Sequence, residues 1–214
     1  HSLQLDIQKV KQASDYLKQS LKLIKNSNDM FQLRGYEGEA ASIYFGVFDQ
    51  LIIQQKKSFS FQSRNRRPPL DNVNAMLSFV YTLLTNMVAS TLETVGLDPY
   101  VGFMHTDRPG RVSLALDLIE ELRPILADRF VLTLINKKIV TSKDFSKQES
   151  GAVLINDKAR KLLLQEWQNK KKEVITHPYL EEKIEWGMIP FAQAMLFSRV
   201  LRGDLDEYPP FFLK

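Results

Sequence analysis

The chain has 214 residues, with 29 lysines and arginines against 25 acidic residues and a formal net charge of +4. It has no cysteine, which excludes disulfide bonds, thiolate nucleophiles and zinc–thiolate sites. No apolar run approaches the roughly 20 residues of a membrane span, and the first residues lack the pattern of a signal peptide. The length suffices for one large domain or two small ones, and the small charge excess favours polyanionic partners only mildly.

Two helices and a basic loop are predicted in the first third of the chain. A three-four spacing of apolar residues predicts a first helix that ends near Asn26–Asn28, and the spaced residues are Leu3, Ile7, Val10, Leu17, Leu21 and Ile24. A second helix is predicted from Glu37 to Leu51. The Pro- and Arg-rich segment 56–71 cannot continue it and is predicted to be a loop.

A long apolar helix is predicted next, over residues 73–95. Asp71 or Asn72 is expected to cap its start, and Gly96 is expected to end it. A loop over 98–111 follows, with Arg-Pro-Gly-Arg at its end.

Shorter elements are predicted in the middle of the chain. A helix over 112–122 is followed by Pro124, which either interrupts it or starts the next segment. The apolar stretch 128–139 is expected to be helical. Val140-Thr141 and Ala152–Ile155 are candidates for the two strands of a short hairpin.

Helices are also predicted over 158–172 and over 182–201, the latter bent at Pro190. The tail from Gly203 is expected to be extended. The predicted fold class is therefore mainly α, a multi-helix bundle with one short β-hairpin near 140–155.

Two short motifs lie in the first half of the chain. Glu37 stands between two glycines at the predicted start of the second helix, where the helix dipole alone would favour an acid. The basic loop carries Arg64, Arg66 and Arg67. Each motif alone is explained by ordinary helix and surface chemistry.

A third motif combines His105 with two acids of the helix that follows. Asp117 and Glu120 are three residues apart, so both carboxylates fall on one helical face. An imidazole beside two carboxylates can hold a divalent metal, and such a metal suits phosphodiester chemistry. A structural histidine with solvent-facing acids is the alternative. However, the acids have apolar neighbours, and burial among them would require a partner cation.

The three motifs occur in the order, and at the separations, of a known family. Arg34–Gly38 is similar to its R-G-x-E-G segment, Gly102–His105 to its G-F-x-H segment, and Asp117–Glu120 to its D-x-x-[DE] segment. Together they resemble the CRISPR-associated integrase that is the first Cas protein, a metal-dependent DNA endonuclease of spacer acquisition. The ending Arg202–Phe211 resembles the type I-C branch of that family.

The resemblance implies a metal site and a reaction. Glu37, His105 and Glu120 would be ligands of Mg²⁺ or Mn²⁺, and Asp117 either a further ligand or a group that orients one. Glu37 is selected over Glu39 because the family's glutamate directly precedes the second glycine. The nucleophile would be a DNA 3′-hydroxyl for integration, or water for cleavage.

Six arginines are candidates for holding DNA phosphates, because a guanidinium can donate two parallel hydrogen bonds to one phosphate. They are Arg34, Arg64, Arg66, Arg67, Arg108 and Arg111. His177, by contrast, is expected to be structural.

The resemblance also implies partners and an organisation into domains. The implied partners are double-stranded or branched DNA and the small second Cas protein, and the full-length protein is expected to form a homodimer. The expected location is the prokaryotic cytoplasm, with no membrane partner. The resemblance covers only the family's helical catalytic domain, and the family's β-rich N-terminal domain is expected to be absent. Residues 1–26 are then expected to be a linker or first helix, and 27–214 the catalytic domain. A nuclease without integration, a non-enzymatic DNA-binding or scaffolding module, and an inactive fragment of the integrase remain as alternatives.

Overall fold

The computed structural model describes residues 6–27, 29–106 and 108–213, which are mainly helical, as predicted for the fold class. They contain two short antiparallel hairpins where one was predicted. The α-helices are α1 (Ile7–Lys25), α2 (Met30–Val47), α3 (Asn72–Thr94), α4 (Ser113–Ile119), α5 (Arg129–Asn136), α6 (Asp157–Lys172) and α7 (Ile189–Leu201). The hairpins pair β1 (Phe145–Lys147) with β2 (Val153–Ile155), and β3 (Val174–Thr176) with β4 (Lys183–Glu185).

The chain divides into two compact units. The first takes the chain up to Met76 together with Val131–Asn156, and the second takes Leu77–Phe130 together with the chain from Asp157 onward. Helices α3 and α5 each contribute residues to both units.

In the first unit, α1 packs against α2. The predicted apolar stripe of α1 is only partly used in this packing, since Ile7 is 72% and Leu21 is 57% exposed. Leu3 of that stripe and Asn28 near its predicted end lie outside the described residues.

Helix α2 begins at Met30 and not at Glu37. Asp29 caps it, because the Asp29 carboxylate accepts a hydrogen bond of 3.0 Å from the N–H of Phe31. Glu37 therefore lies in the middle of a helix, and the explanation of this acid as a first-turn charge is wrong. A 3₁₀ turn, Phe48–Leu51, continues the segment to its predicted end.

The core of the first unit is aromatic. Phe48, Phe59 and Phe61 are buried, with 5.0 Å between the ring centroids of Phe48 and Phe61. Phe145 of β1 packs edge-on against Phe59 at 5.6 Å. This contact holds the short strand β1 against the aromatic core and buries part of it.

The predicted first strand of this hairpin, Val140-Thr141, is wrong. Thr141 instead forms a capping box with Asp144, and the two close a 3₁₀ turn over Ser142–Asp144. The predicted second strand is confirmed as β2, which pairs with β1 in the register Phe145 to Ile155.

Helix α3 has the predicted ends. The Asp71 carboxylate accepts a hydrogen bond of 2.7 Å from the N–H of Asn74, and Gly96 adopts φ +81° just past the last turn. By length and composition alone α3 could cross a membrane. A buried core helix meets the same criteria, and Leu84 and Leu92 are fully buried within the second unit.

Two prolines start helical segments in the second unit. Pro124 lies in the first turn of a π-helical segment, Arg123–Asp128, and α4 ends earlier than predicted, at Ile119. Pro190 lies in the first turn of α7 and does not bend it, because a proline there forfeits no helical hydrogen bond.

The predicted helix over 182–201 is wrong in its first part. Lys183–Glu185 forms β4 and pairs with β3, and a 3₁₀ turn over Trp186–Met188 leads into α7. The tail that follows α7 has no helix or strand in its described part, but residues 202–207 form turns and bends and are not extended as predicted. It nevertheless buries Phe211, whose ring lies 5.8 Å from that of Trp186.

Candidate active site

Asp117 of α4 closes the loop that carries His105. Its side chain is fully buried. Oδ2 accepts hydrogen bonds from the N–H groups of Phe103 (2.6 Å) and Met104 (3.0 Å), and Oδ1 accepts one from the N–H of His105 (2.9 Å). We call this set of contacts, together with the His105 ring contact, the Asp117 clasp.

The clasp also orients the His105 ring, because Nδ1 lies 2.6 Å from Asp117 Oδ1. A carboxylate only accepts hydrogen bonds, so Nδ1 is assigned as the donor, and in the neutral ring Nε2 is then the nitrogen with a lone pair. Metal-binding histidines typically donate their other ring N–H to a carboxylate in this way. Four accepted hydrogen bonds occupy the oxygens of Asp117, which favours the orienting role over that of a direct ligand.

Gly102 lets the loop approach α4 this closely. A Cβ at this position would lie 2.7 Å from Cβ of Ser113 and 2.8 Å from Oδ2 of Asp117, distances that side chains do not tolerate. The first position of the G-F-x-H segment therefore requires glycine for steric reasons.

Glu120 follows one turn after Asp117, directly past the end of α4, and forms an ion pair with Arg123. Arg123 in turn lies over the ring of Tyr81, with 4.5 Å from its guanidinium carbon to the ring centroid. Tyr81 donates a hydrogen bond to buried Asp128. Burial and the Asp128 charge raise the pKa of Tyr81, so its hydroxyl remains a donor at neutral pH.

Sequence reasoning missed this network. The spacing of Glu120 and Arg123, three residues apart, is a usable signal for an ion pair, although Pro124 next to Arg123 equally indicates a helix end. Nothing local in the sequence links Tyr81 and Asp128 to it.

The two glutamates of the R-G-x-E-G segment have different surroundings. Glu39 accepts a hydrogen bond of 2.5 Å from the hydroxyl of Tyr16, whereas Glu37 is an exposed residue of α2 in the first unit. Within residues 6–27, 29–106 and 108–213, no three histidine or acidic side chains lie grouped closely enough to hold a metal ion. The structure thus joins His105 to Asp117 and places Glu120 one turn on.

Arg64 differs from the other arginines of the basic loop. It is half-buried, and its Nη1 donates to Oδ1 of Asn74 at 2.7 Å and to the carbonyl of Asn65. Asn74 is itself fully buried and donates to the carbonyl of Ser63 at 2.9 Å. Arg64 therefore helps to shape the loop.

The remaining candidate arginines lie nearer the solvent. Arg66 and Arg67 are exposed in the loop, Arg34 is exposed on α2, Arg108 is exposed and Arg111 is half-buried. The exposed pair Arg66 and Arg67 is the part of the cluster best placed to meet a phosphate.

Comparison with known proteins assigns the family. A family model described as CRISPR associated protein Cas1 matches residues 2–169. The chain belongs to the Cas1 family. It is 54% identical over 206 residues to the CRISPR-associated endonuclease Cas1 2 of Rhodospirillum rubrum, covering 96% of this chain and 60% of that protein. It is 48% identical to the CRISPR-associated endonuclease Cas1 of Leptospira interrogans, covering 97% of this chain and 81% of the relative.

Solved structures share the Cas1 fold. A casposase bound to integration product superimposes with a TM-score of 0.81 at 25% identity, covering 96% of this chain and 61% of that chain. A CAS1 protein from Thermotoga maritima gives a TM-score of 0.79 at 26% identity, covering 94% and 62%. The chain thus spans about 60% of the length of several of these relatives.

Proposed function

We propose that this Cas1 family chain is a metal-dependent DNA endonuclease and strand-transfer integrase of CRISPR adaptation, which joins new spacer DNA to the repeat array. The Asp117 clasp carries the proposal. It fixes the imidazole of His105 through a hydrogen bond at Nδ1, and Glu120 follows one helical turn after Asp117. The names of the relatives support it, since two are called endonucleases and a structural neighbour is a casposase bound to integration product.

The donor chemistry fits Mg²⁺ or Mn²⁺, which accept carboxylate oxygens and imidazole nitrogen. We propose Nε2 of His105 and the carboxylates of Glu120 and Glu37 as ligands. The assignment of Glu37 rests on the resemblance to the R-G-x-E-G segment. When bound, such an ion offsets the charge that develops on the phosphodiester oxygens.

The chain's own residues prepare this site. Asp117 holds the His105 ring in one tautomer, and Arg123 balances the charge of Glu120 and restricts its carboxylate. The attacking group comes from DNA or water, either the 3′-hydroxyl of an incoming strand or a water molecule. No protein nucleophile is required, which agrees with a chain that has no cysteine.

Mn²⁺ calorimetry on the chain and on three single variants tests the proposal. Glu37→Ala, His105→Ala and Glu120→Ala are each expected to abolish binding while circular dichroism stays unchanged, because each removes one proposed ligand. Glu39→Ala is the matched control, since Glu39 lies in the same segment and is bound to Tyr16. Parent-like binding by a ligand variant would remove that residue from the site, and no binding by the parent would refute the metal site.

A DNA donor labelled next to its 3′-hydroxyl separates the alternatives. Strand-transfer product that disappears with a chelator supports the integrase. Metal-dependent nicking without that product would identify a nuclease that does not integrate. Metal-independent DNA binding without cleavage would favour the scaffolding module.

Arg66 and Arg67 are proposed to hold DNA phosphates. Replacing both with alanine is expected to weaken duplex binding and to reduce the slope of log affinity against log salt by about 2, since each phosphate contact releases about one counterion. Fluorescence anisotropy at several salt concentrations measures the slope. Arg160→Ala combined with Arg202→Ala removes the same charge from exposed sites in the second unit. An equal loss there would mean that general charge, and not the loop, is responsible.

The remaining assignments extend the same proposal. Residues 27–214 would be the catalytic domain of a type I-C-like protein, and the small second Cas protein its partner. A chain with the same fold occurs in a partial Cas6-RT-Cas1–Cas2 complex, at a TM-score of 0.83 and 22% identity.

A further inference from the structure

Glu121, the residue after the proposed ligand Glu120, is bound by the C-terminal tail. Its Oε1 accepts a hydrogen bond of 2.5 Å from the hydroxyl of Tyr208, and its Oε2 accepts one of 2.6 Å from the N–H of Phe211. Nε2 of Gln193 on α7 lies 3.0 and 3.1 Å from the two oxygens. We call these contacts the tail anchor.

The orientation of Gln193 is fixed from its other side by His177. Oε1 of Gln193 lies 3.0 Å from Nε2 of His177, while Nδ1 of the same ring accepts hydrogen bonds of 3.2 Å from the N–H groups of Tyr179 and Leu180. Because Nδ1 is an acceptor, Nε2 carries the proton and the ring is neutral. Burial lowers the pKa of His177, in line with this assignment and with the predicted structural role.

The partners of Glu121 in the tail anchor are a hydroxyl, an amide and a backbone N–H, all of them neutral. Burial raises the pKa of Glu121, so burying this carboxylate has a cost that these hydrogen bonds offset. Contacts of this kind are directional and hold the carboxylate in one position.

The segment from Asp117 to Arg123 is therefore fastened at three successive points. Asp117 binds the His105 loop, Glu120 binds Arg123, and Glu121 binds the tail. Glu120 and Glu121 share a peptide bond just past the end of α4. A displacement of the Glu121 backbone would therefore also move the backbone that carries Glu120.

We propose that the tail, through Tyr208 and the N–H of Phe211, positions the Glu120 carboxylate for metal binding. Tyr208, Gln193 and Glu121 are then positioning residues of the active site and not merely packing residues. This inference rests on the proposed function, because it takes Glu120 as a metal ligand.

Tyr208→Phe tests the inference, because it removes one hydroxyl and keeps the ring that packs against Phe197 at 5.7 Å. We expect Mn²⁺ affinity to fall by up to about tenfold with unchanged stoichiometry, no more than the smallest usual effect of losing a group bonded directly to a ligand. Hydrogen exchange is expected to be faster at the amides of Phe211 and Leu122. Tyr179→Phe, at an exposed tyrosine of the same unit, should match the parent in both measurements.

Val88→Ala controls for a loss of stability, because it removes buried apolar volume from α3 and replaces no residue of the tail anchor. Its Mn²⁺ affinity, measured well below its Tm, is expected to equal that of the parent. Parent-like affinity of Tyr208→Phe, or a loss equally large in Val88→Ala, would overturn the positioning role while the proposed function stands. No Mn²⁺ binding by the parent would overturn the metal site and the inference with it. Parent-like binding by Glu120→Ala would remove Glu120 from the site and overturn the inference.

Discussion

Replacing Gly102 with alanine is expected to open the Asp117 clasp. The new Cβ would lie within 2.9 Å of Ser113 backbone and side-chain atoms and within 2.8 Å of Oδ2 of Asp117, so the loop must move away from α4. Overpacking and the lost hydrogen bonds of a buried carboxylate together predict a fall of about 3 kcal/mol in the free energy of unfolding. Mn²⁺ binding should fall with it, because His105 loses its orientation. Urea denaturation and calorimetry measure the two effects.

Gly46→Ala is the matched control for this substitution. Gly46 lies in α2 with open space where a Cβ would stand, so alanine should stabilise the chain by about 0.5–1 kcal/mol through helix propensity alone. If Gly102→Ala proved as harmless as Gly46→Ala, the close approach of the loop to α4 would be wrong.

Asp117→Asn is expected to lower the free energy of unfolding by about 3 kcal/mol or more. The carboxylate accepts three backbone hydrogen bonds and one from the ring of His105, and an amide would turn an N–H₂ group toward some of those donors. Mn²⁺ affinity should fall about 10- to 100-fold, since the His105 tautomer is no longer enforced.

Asp98→Asn provides the comparison for Asp117→Asn. Asp98 is exposed and accepts one hydrogen bond of 2.9 Å from the N–H of Tyr100, so its substitution should change the unfolding free energy by less than about 0.5 kcal/mol. Parent-like Mn²⁺ affinity in Asp117→Asn would contradict the orienting role of Asp117.

The sequence predicted the long elements well, because a periodic apolar pattern and a good cap act locally. Helix α3 is the clearest case, with Asp71 at its start and Gly96 at its end. The second hairpin was missed because strands of three residues are too short to show a period. The start of α2 was misplaced because Gly35 was expected to stand outside the helix, yet it lies within it.

For the candidate site, the motifs predicted a set of candidate residues but not how those residues are connected. The partners of Asp117 are mostly backbone N–H groups, which any sequence supplies and no residue pattern reveals. Tyr208 and Glu121 are far apart in the chain, and their contact depends on the tertiary fold. The metal ligand set itself stays a prediction until binding is measured.

The Asp117 clasp has a practical consequence for choosing an inactive form of the protein. The Asp117 carboxylate both holds the backbone of the loop and orients the His105 ring. After a substitution at Asp117, a loss of activity could therefore not be separated from a loss of structure. If the proposed nuclease activity holds, a variant meant to bind DNA without cleaving it is better made at Glu120, whose side chain is partly exposed and paired with Arg123. Such a variant would report on binding and assembly in a molecule whose histidine loop is still in place.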